Sequence, residues 1–161
     1  MIKSVLLRAK EAVIALLIML PIAFSYGFGP AMGEQDWLTW SNKCLSESFD
    51  PSSDVKLKKW EIELTPDHFL RLRKTYQHGK QEYFSFNLQK LDSVDYAPGN
   101  TAIDTLELKT QADDIIVQTY EDPKGNIDSM TTAINIPVKK LPAQRLDSLR
   151  RALNYLKSKG L

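Results

Sequence analysis

The chain has 161 residues, of which 43% are hydrophobic, 25% charged and 9% aromatic. This length suits one domain, and the composition excludes wholesale disorder. Lysine and arginine total 21 against 20 acidic residues, a formal net charge of +1, which does not favour a nucleic-acid partner. A single cysteine excludes an intramolecular disulfide framework.

The N-terminal segment has the order of a secretory signal peptide. Three basic residues and one acid come first, followed by the apolar run AVIALLIMLPIAF and then by small residues. We predict a signal peptide over residues 1–25. The alternatives are a retained membrane anchor over residues 12–33 and a buried core helix.

Export follows from the first two interpretations. The basic residues Lys3, Arg8 and Lys10 are expected to stay in the cytoplasm, so that the rest of the chain lies outside the inner membrane. A cleaved protein would be periplasmic or secreted. A retained segment would anchor the domain to the outer side of the inner membrane.

Residues 26–54 are interpreted as a lead-in segment. Asp36 is placed to cap a single helical turn, in which Trp37 and Trp40 share one face. This tryptophan pair either packs against one end of the core or binds a partner. A turn cluster follows at residues 50–54.

Six strands are predicted after this segment from alternating or β-branched residues. They cover residues 55–64, 69–76, 81–88, 103–109, 115–120 and 130–138, and residues 91–102 are predicted as a loop. A change of parity at Lys58 and Lys59 predicts a bulge. Pro137 predicts that the last strand lies at a sheet edge or ends there.

A C-terminal helix is predicted over residues 142–158. Leucines recur there at spacings of three, four and three residues, at Leu146, Leu149, Leu153 and Leu156. We therefore predict one β-rich domain over residues 55–161. Its fold class is α+β and mainly antiparallel, with a curved sheet or partial barrel closed by the helix.

The order of elements from Val55 to Lys159 resembles the pleckstrin-homology-like superfold, in which seven strands precede a C-terminal helix. The resemblance implies a partial barrel with the helix plugging one end. It implies nothing about function, because fold alone does not determine function. A flat sheet of four to six strands with the helix on one face is the alternative.

Residues for nucleophilic or metal chemistry are few. His68 and His78 both fall in predicted turns and are expected to point to solvent. Two histidines and one cysteine are too few for a typical zinc site. Cys44 is interpreted as a free thiol, either buried or available to link two chains.

Carboxylate pairs occur at Glu61 with Glu63 and at Asp113 with Asp114. Cross-strand ion pairs account for the first pair without catalysis. We therefore predict that the protein is not an enzyme and holds no cofactor or metal.

Partner binding is the function that remains. The candidate partner-binding residues are Trp37, Trp40, Lys56, Lys58, Arg71 and Arg73. If the first two strands pair, the last four of these residues can form one basic face for an anionic partner, although a solvated sheet face is the ordinary interpretation.

We expect an exported, non-enzymatic envelope or secreted protein that binds another macromolecule, as an inhibitor or immunity-type protein or as an accessory subunit. The partner is expected to be a protein outside the inner membrane. A first alternative is a carrier of a lipid or small ligand within the curved sheet, lined by Phe84, Phe86, Leu106, Leu108, Ile116 and Ile134. A second is a hydrolase that uses carboxylates.

Overall fold

The computed structural model describes residues 32–99 and 103–160. Their helices are α1 (Glu34–Ser48) and α2 (Ala143–Lys159), and the strands are β1 (Leu57–Leu64), β2 (Phe69–Tyr76), β3 (Gln81–Asn87), β4 (Leu91–Ala97), β5 (Ile103–Thr110), β6 (Ile115–Tyr120), β7 (Asp128–Thr131) and β8 (Ala133–Lys139). Short 3-10 turns lie at Pro51–Ser53 and Leu88–Lys90.

The N-terminal predictions fall largely outside this range. The signal peptide predicted over 1–25, and residues 12–31 of the alternative anchor, lie outside the described residues. None of the helices that are described is long and apolar enough to cross a membrane.

The strands form two open antiparallel sheets and not a barrel. The five-stranded sheet has the order β1-β2-β3-β6-β7, and the three-stranded sheet has the order β4-β5-β8. The α+β class, the antiparallel pairing and the C-terminal helix are therefore confirmed. The partial barrel that we expected is not found among the described residues, where eight strands replace the predicted six.

Three stretches of chain pass from one sheet to the other, and they lie beside one another where they cross. The first joins β3 to β4 through the 3-10 turn, the second joins β5 to β6, and the third joins β7 to β8 at Thr132. Leu91 pairs with Thr110, and the Thr110 amide donates to the Thr132 carbonyl at 2.9 Å. The strands therefore end at these crossings and new strands begin in the other sheet, so the fold has two sheets instead of one continuous curved sheet.

This break explains the two strands that the sequence analysis missed. Residues 91–102 were expected to be a loop, but β4 occupies Leu91–Ala97. Residues 130–138 were expected to be one strand, but they contribute to β7 and β8 in different sheets. Pro137 lies in β8 at an edge of the three-stranded sheet, as predicted.

Helix α1 is much longer than the single turn that was expected. It buries one stripe, at Leu38, Ser41, Cys44, Leu45 and Ser48. Asp36 does not precede the helix as a cap, because it lies in the first turn and accepts a hydrogen bond from the Gly33 amide at 3.0 Å. Two of the buried positions are serines, which hides the apolar period of the helix.

Both helices pack on the inner side of the sheets. Helix α1 contacts β1 and α2, and α2 contacts the 3-10 turn between the sheets. The predicted leucine stripe of α2 is buried and joins the hydrophobic core. This packing leaves the opposite, outer face of the five-stranded sheet open to solvent.

Candidate functional site

Alternation along β2 places arginines on the outer face of the five-stranded sheet. Leu70 and Leu72 are fully buried in the core. Arg71 and Arg73 alternate with them along the strand and therefore lie on its other side. The same rule places Tyr83 of β3 outward, next to Arg73 in the register. The predicted placement of both arginines on one face is confirmed.

A groove of about 570 Å³ runs across β2, β3 and β6 on this face. We call it the outer groove, and it is lined by Arg73, Gln81, Tyr83, Tyr120, Glu121 and Asn126. Arg73 lies against Tyr83, with the guanidinium carbon 5.8 Å from the ring centroid. Gln81 pairs with Tyr120 in the register, so that tyrosines from two neighbouring strands share the groove.

One end of the outer groove is formed by an acidic residue with an unusual backbone conformation. Glu121 follows β6 with a φ of 53°, in the left-handed region that non-glycine residues rarely adopt. Its carboxylate oxygen would lie 2.7 Å from a Cβ atom at Gly79, which itself has a φ of +90°. The tip of the β2–β3 hairpin and the residue after β6 therefore meet here without room for a larger side chain.

The arginines of the outer face have carboxylates opposite them on the neighbouring strand but form no ion pair with them. Glu61 pairs with Arg73, and Glu63 pairs with Arg71. Among residues 32–99 and 103–160, no hydrogen bond or ion pair joins either guanidinium to another side chain. The Nε atom of Arg71 is buried without a hydrogen-bond partner. The exposed guanidinium of Arg73 is therefore available to an external acceptor.

Arg73 connects the outer groove to two smaller depressions of about 180 Å³ each. One is shared with Lys59 and Thr75, and the other with Glu63 and Arg71. A contact surface centred on Arg73 can therefore extend over most of β1, β2 and β3.

The far end of the same face is apolar. Ile116 and Tyr120 of β6 are 37% and 46% exposed, and Met130 of β7 is 55% exposed. Ile116 pairs with Met130 in the register, so these two side chains are neighbours. Exposed apolar groups beside polar and charged ones are typical of protein contact surfaces.

Lys56 and Lys58 do not join the arginines in one basic face. Lys58 is the extra residue of the bulge, because Leu57 pairs with Tyr76 and Lys59 pairs with Thr75. Lys56 precedes the strand and lines a separate groove with Tyr76. The parity of β2 directs Tyr76 to the opposite side from Arg73.

The groove beside Lys56 holds a polar cluster. Tyr76 donates to Glu82 at 2.7 Å, and Lys80 lies 3.0 Å from both Glu82 and Asp122. Burial, reinforced by the bond to Glu82, raises the pKa of Tyr76, and the bonds to Asp122 and Glu82 raise the pKa of Lys80. Both shifts move proton release away from neutral pH, which disfavours either group as a general base.

The tryptophan pair lies at the contact of the two helices. Trp37 and Trp40 meet edge to face, with ring centroids 6.1 Å apart, and Trp37 also lies 6.2 Å from Tyr155 of α2. Both side chains are half-buried against the core. They are on a different part of the domain from the outer-face arginines, so the six candidate residues do not form one site.

Cys44 is free and buried at this helix contact. Arg145 donates from Nε to the thiol sulfur at 3.3 Å and pairs with Glu47 at 2.5 Å. Both bonds raise the pKa of Arg145, so the guanidinium is held in its charged form. The buried position disfavours the intermolecular disulfide that was one alternative.

One of the two turn histidines is not directed to solvent as expected. The side chain of His68 is only 12% exposed and lies 3.2 Å from Glu34, whereas His78 is exposed. Within the described ranges, no group of three or more histidine, cysteine, aspartate or glutamate side chains is arranged to hold a metal ion.

The residues expected to line a carrier cavity are divided between the core and the surface. Phe86, Leu106, Leu108 and Ile134 belong to the hydrophobic core, and Phe84 packs against it. Ile116 lies on the outer face instead. This set therefore does not surround one interior space.

The groove partners of Arg73 were not recognised as functional residues from the sequence. Alternation along residues 81–88 places Tyr83 on the side opposite Phe84 and Phe86, which is a usable signal. Tyr120 could not be assigned to the same groove, because that requires knowing that β6 pairs with β3.

Comparison of the chain with protein-family models, with curated proteins and with solved structures found no match.

Proposed function

We propose that this protein is a non-enzymatic binding protein of the cell envelope or the extracellular space, and that the outer face of its five-stranded sheet contacts a partner protein. An inhibitor or immunity-type protein and an accessory subunit are the two forms this function can take. Export is supported by the basic start and apolar run of the N-terminal sequence.

The observation that carries the proposal is the environment of Arg73, whose guanidinium lies in a groove without an ion-pair partner among the described residues. This residue lines three adjoining depressions and lies against Tyr83. Arginine and tyrosine are enriched among the residues that dominate binding energy in protein interfaces. Neighbouring amides at Gln81 and Asn126 add donors and acceptors that can orient a partner.

The chemistry described above gives less support to catalysis. The polar cluster around Lys80 holds its groups in strong mutual ion pairs and hydrogen bonds. Glu61 and Glu63 lie on an open sheet face beside arginines rather than in an enclosed cleft.

Site-specific photo-crosslinking in the native host tests this assignment. A photoreactive phenylalanine analogue replaces Tyr83 in the outer groove, and in a matched protein it replaces Arg151, an exposed residue of α2. We expect a defined protein adduct from position 83 and none from position 151. Adding Arg73→Ala should abolish the adduct, whereas Arg151→Ala should leave it unchanged.

Two outcomes would contradict the proposal. One is the absence of an adduct at position 83 in a correctly located, folded protein. The other is an adduct whose yield is the same with and without Arg73→Ala, which would show that the outer groove is close to a neighbour but does not bind it.

A further inference from the structure

At three of the four sheet edges, other parts of the chain bond to the outward backbone groups of at least one residue. At the β1 edge, Asn42 of α1 bonds both the amide and the carbonyl of Leu64. At the β4 edge, Arg150 and Lys157 of α2 donate to backbone carbonyls. At the β8 edge, Asp50 donates to Pro137 at 2.9 Å beside the bridge between Phe49 and Val138.

The β7 edge is different. The Thr119 amide donates to the Ile127 carbonyl at 2.9 Å, so residues 127, 129 and 131 direct their backbone groups toward β6. By the alternation of antiparallel ladders, the N–H and C=O groups of Asp128 and Met130 point away from the sheet. No residue within the described ranges bonds to these outward groups.

This four-residue edge lacks several of the features that usually prevent strand addition. Strand β7, with the sequence DSMT, contains no lysine, proline or bulge. Met130 is 55% exposed beside Ile116, and Ile127 at the start of the strand is 51% exposed. Open backbone groups together with exposed apolar side chains are the requirements for binding an extended peptide as an additional strand.

The charge around the edge indicates which peptide fits. Residues 111–132, which form β6, β7 and their turns, contain five acidic residues and one lysine, a net charge of −4. Lys80 and Lys90 pair with Asp122 and Asp114. The acids without an ion pair among the described residues are Asp113, Glu121 and Asp128.

We propose that β7 binds an extended segment of a partner protein as a sixth strand, and that this segment has an apolar centre flanked by basic residues. This inference rests on the proposed function, since it specifies how the partner protein is held. The apolar centre would contact Met130, and the basic flanks would face the acidic ends of the β6–β7 hairpin.

Amide hydrogen exchange followed by NMR on the full chain tests the proposal. The probe is a blocked synthetic peptide, Lys-Thr-Val-Thr-Val-Thr-Lys, and its counterpart has glutamate at both ends. In the free protein we expect fast exchange at Asp128 and Met130 and slow exchange at Ser129 and Thr131. The lysine peptide should protect the first two amides, and the glutamate peptide should bind more weakly.

Met130→Pro is the decisive variant. It removes an outward N–H without removing a bond to β6, so the fold is expected to persist. Losing this donor should weaken binding of the lysine peptide by about tenfold. Arg151→Ala is the matched control, because Arg151 is an exposed residue of α2 and lies outside both the outer groove and the β7 edge.

Several results would overturn the inference. Equal affinity for the two peptides would exclude the basic partner, and unchanged affinity after Met130→Pro would exclude the edge. Slow exchange at Asp128 and Met130 in the free protein would show that the edge is already occupied. Sedimentation would then identify the occupant, which is a second copy if the protein is a dimer and the same chain if it is a monomer.

The two proposals can fail separately. If Arg73→Ala abolishes the native crosslink and Met130→Pro does not, the outer groove binds the partner and strand addition is wrong. If the native adduct is lost with neither variant, the proposed function itself is contradicted.

Discussion

Besides the apolar packing of α1, one side-chain amide joins this helix to the backbone of the five-stranded sheet. Asn42 donates to the Leu64 carbonyl at 2.8 Å and accepts from the Leu64 amide at 2.6 Å. Leu64 is only 1% exposed, so water cannot readily replace these bonds. Asn42→Ala leaves two buried backbone groups without partners, each of which costs about 1–3 kcal/mol.

We therefore expect Asn42→Ala to lower the free energy of unfolding by about 2–6 kcal/mol and the Tm by about 10 °C or more. Urea unfolding followed by tryptophan fluorescence is a suitable assay. Trp37 and Trp40 lie on α1 and Trp60 lies on β1, so the reporters are on the two elements that the amide joins.

Asn154→Ala is the matched control, because Asn154 is an exposed asparagine of α2. Its effect should stay within about 0.5 kcal/mol. If Asn42→Ala costs no more than this control, the two hydrogen bonds do not stabilise the helix–sheet contact.

Three further outcomes are expected. Hydrogen bonds from Tyr96 and a backbone amide hold the pKa of Asp104 below its usual range. The ionised Asp104 therefore stabilises the folded state fully above the unfolded-state pKa, and this stabilisation is lost as the pH falls below about 4. When the free energy of unfolding is measured against pH, Tyr96→Phe should lose less of it in acid than the wild type does. Leu149→Ala should lower the free energy of unfolding by about 3–5 kcal/mol in urea, because Leu149 is fully buried on α2. The buried thiol of Cys44 should react with a disulfide reagent only slowly in the native protein. Arg145→Ala removes a side chain that contacts the sulfur and so opens access to it, which should increase the measured rate; equal rates would show that this side chain does not protect the thiol.

The strands that could be predicted from the sequence are those whose side chains alternate clearly. Residues 69–76 and 115–120 were predicted with the bounds that the structure has. Strand β4 was missed because its sequence, LDSVDYA, contains two aspartates and few β-branched residues. Pairing with β5 and the backbone contacts from α2 stabilise it, and such long-range contacts outweigh local propensity.

The division of residues 130–138 into two strands could not be detected from periodicity. Both parts alternate, and only Thr132 separates them. What distinguishes them is their pairing, since β7 lies beside β6 and β8 lies beside β5. A period of two describes each strand but does not specify the sheet to which it belongs.

The candidate site shows the same limitation for charge. The formal net charge of +1 gave no indication of a binding surface, because a basic strand and an acidic hairpin offset each other in the total. Once the strand order is known, the arginines of β2 and the acidic segment 111–132 lie at different positions of one sheet. Charge is therefore informative when it is summed over neighbouring strands, and that sum requires the strand order, which the sequence alone does not provide.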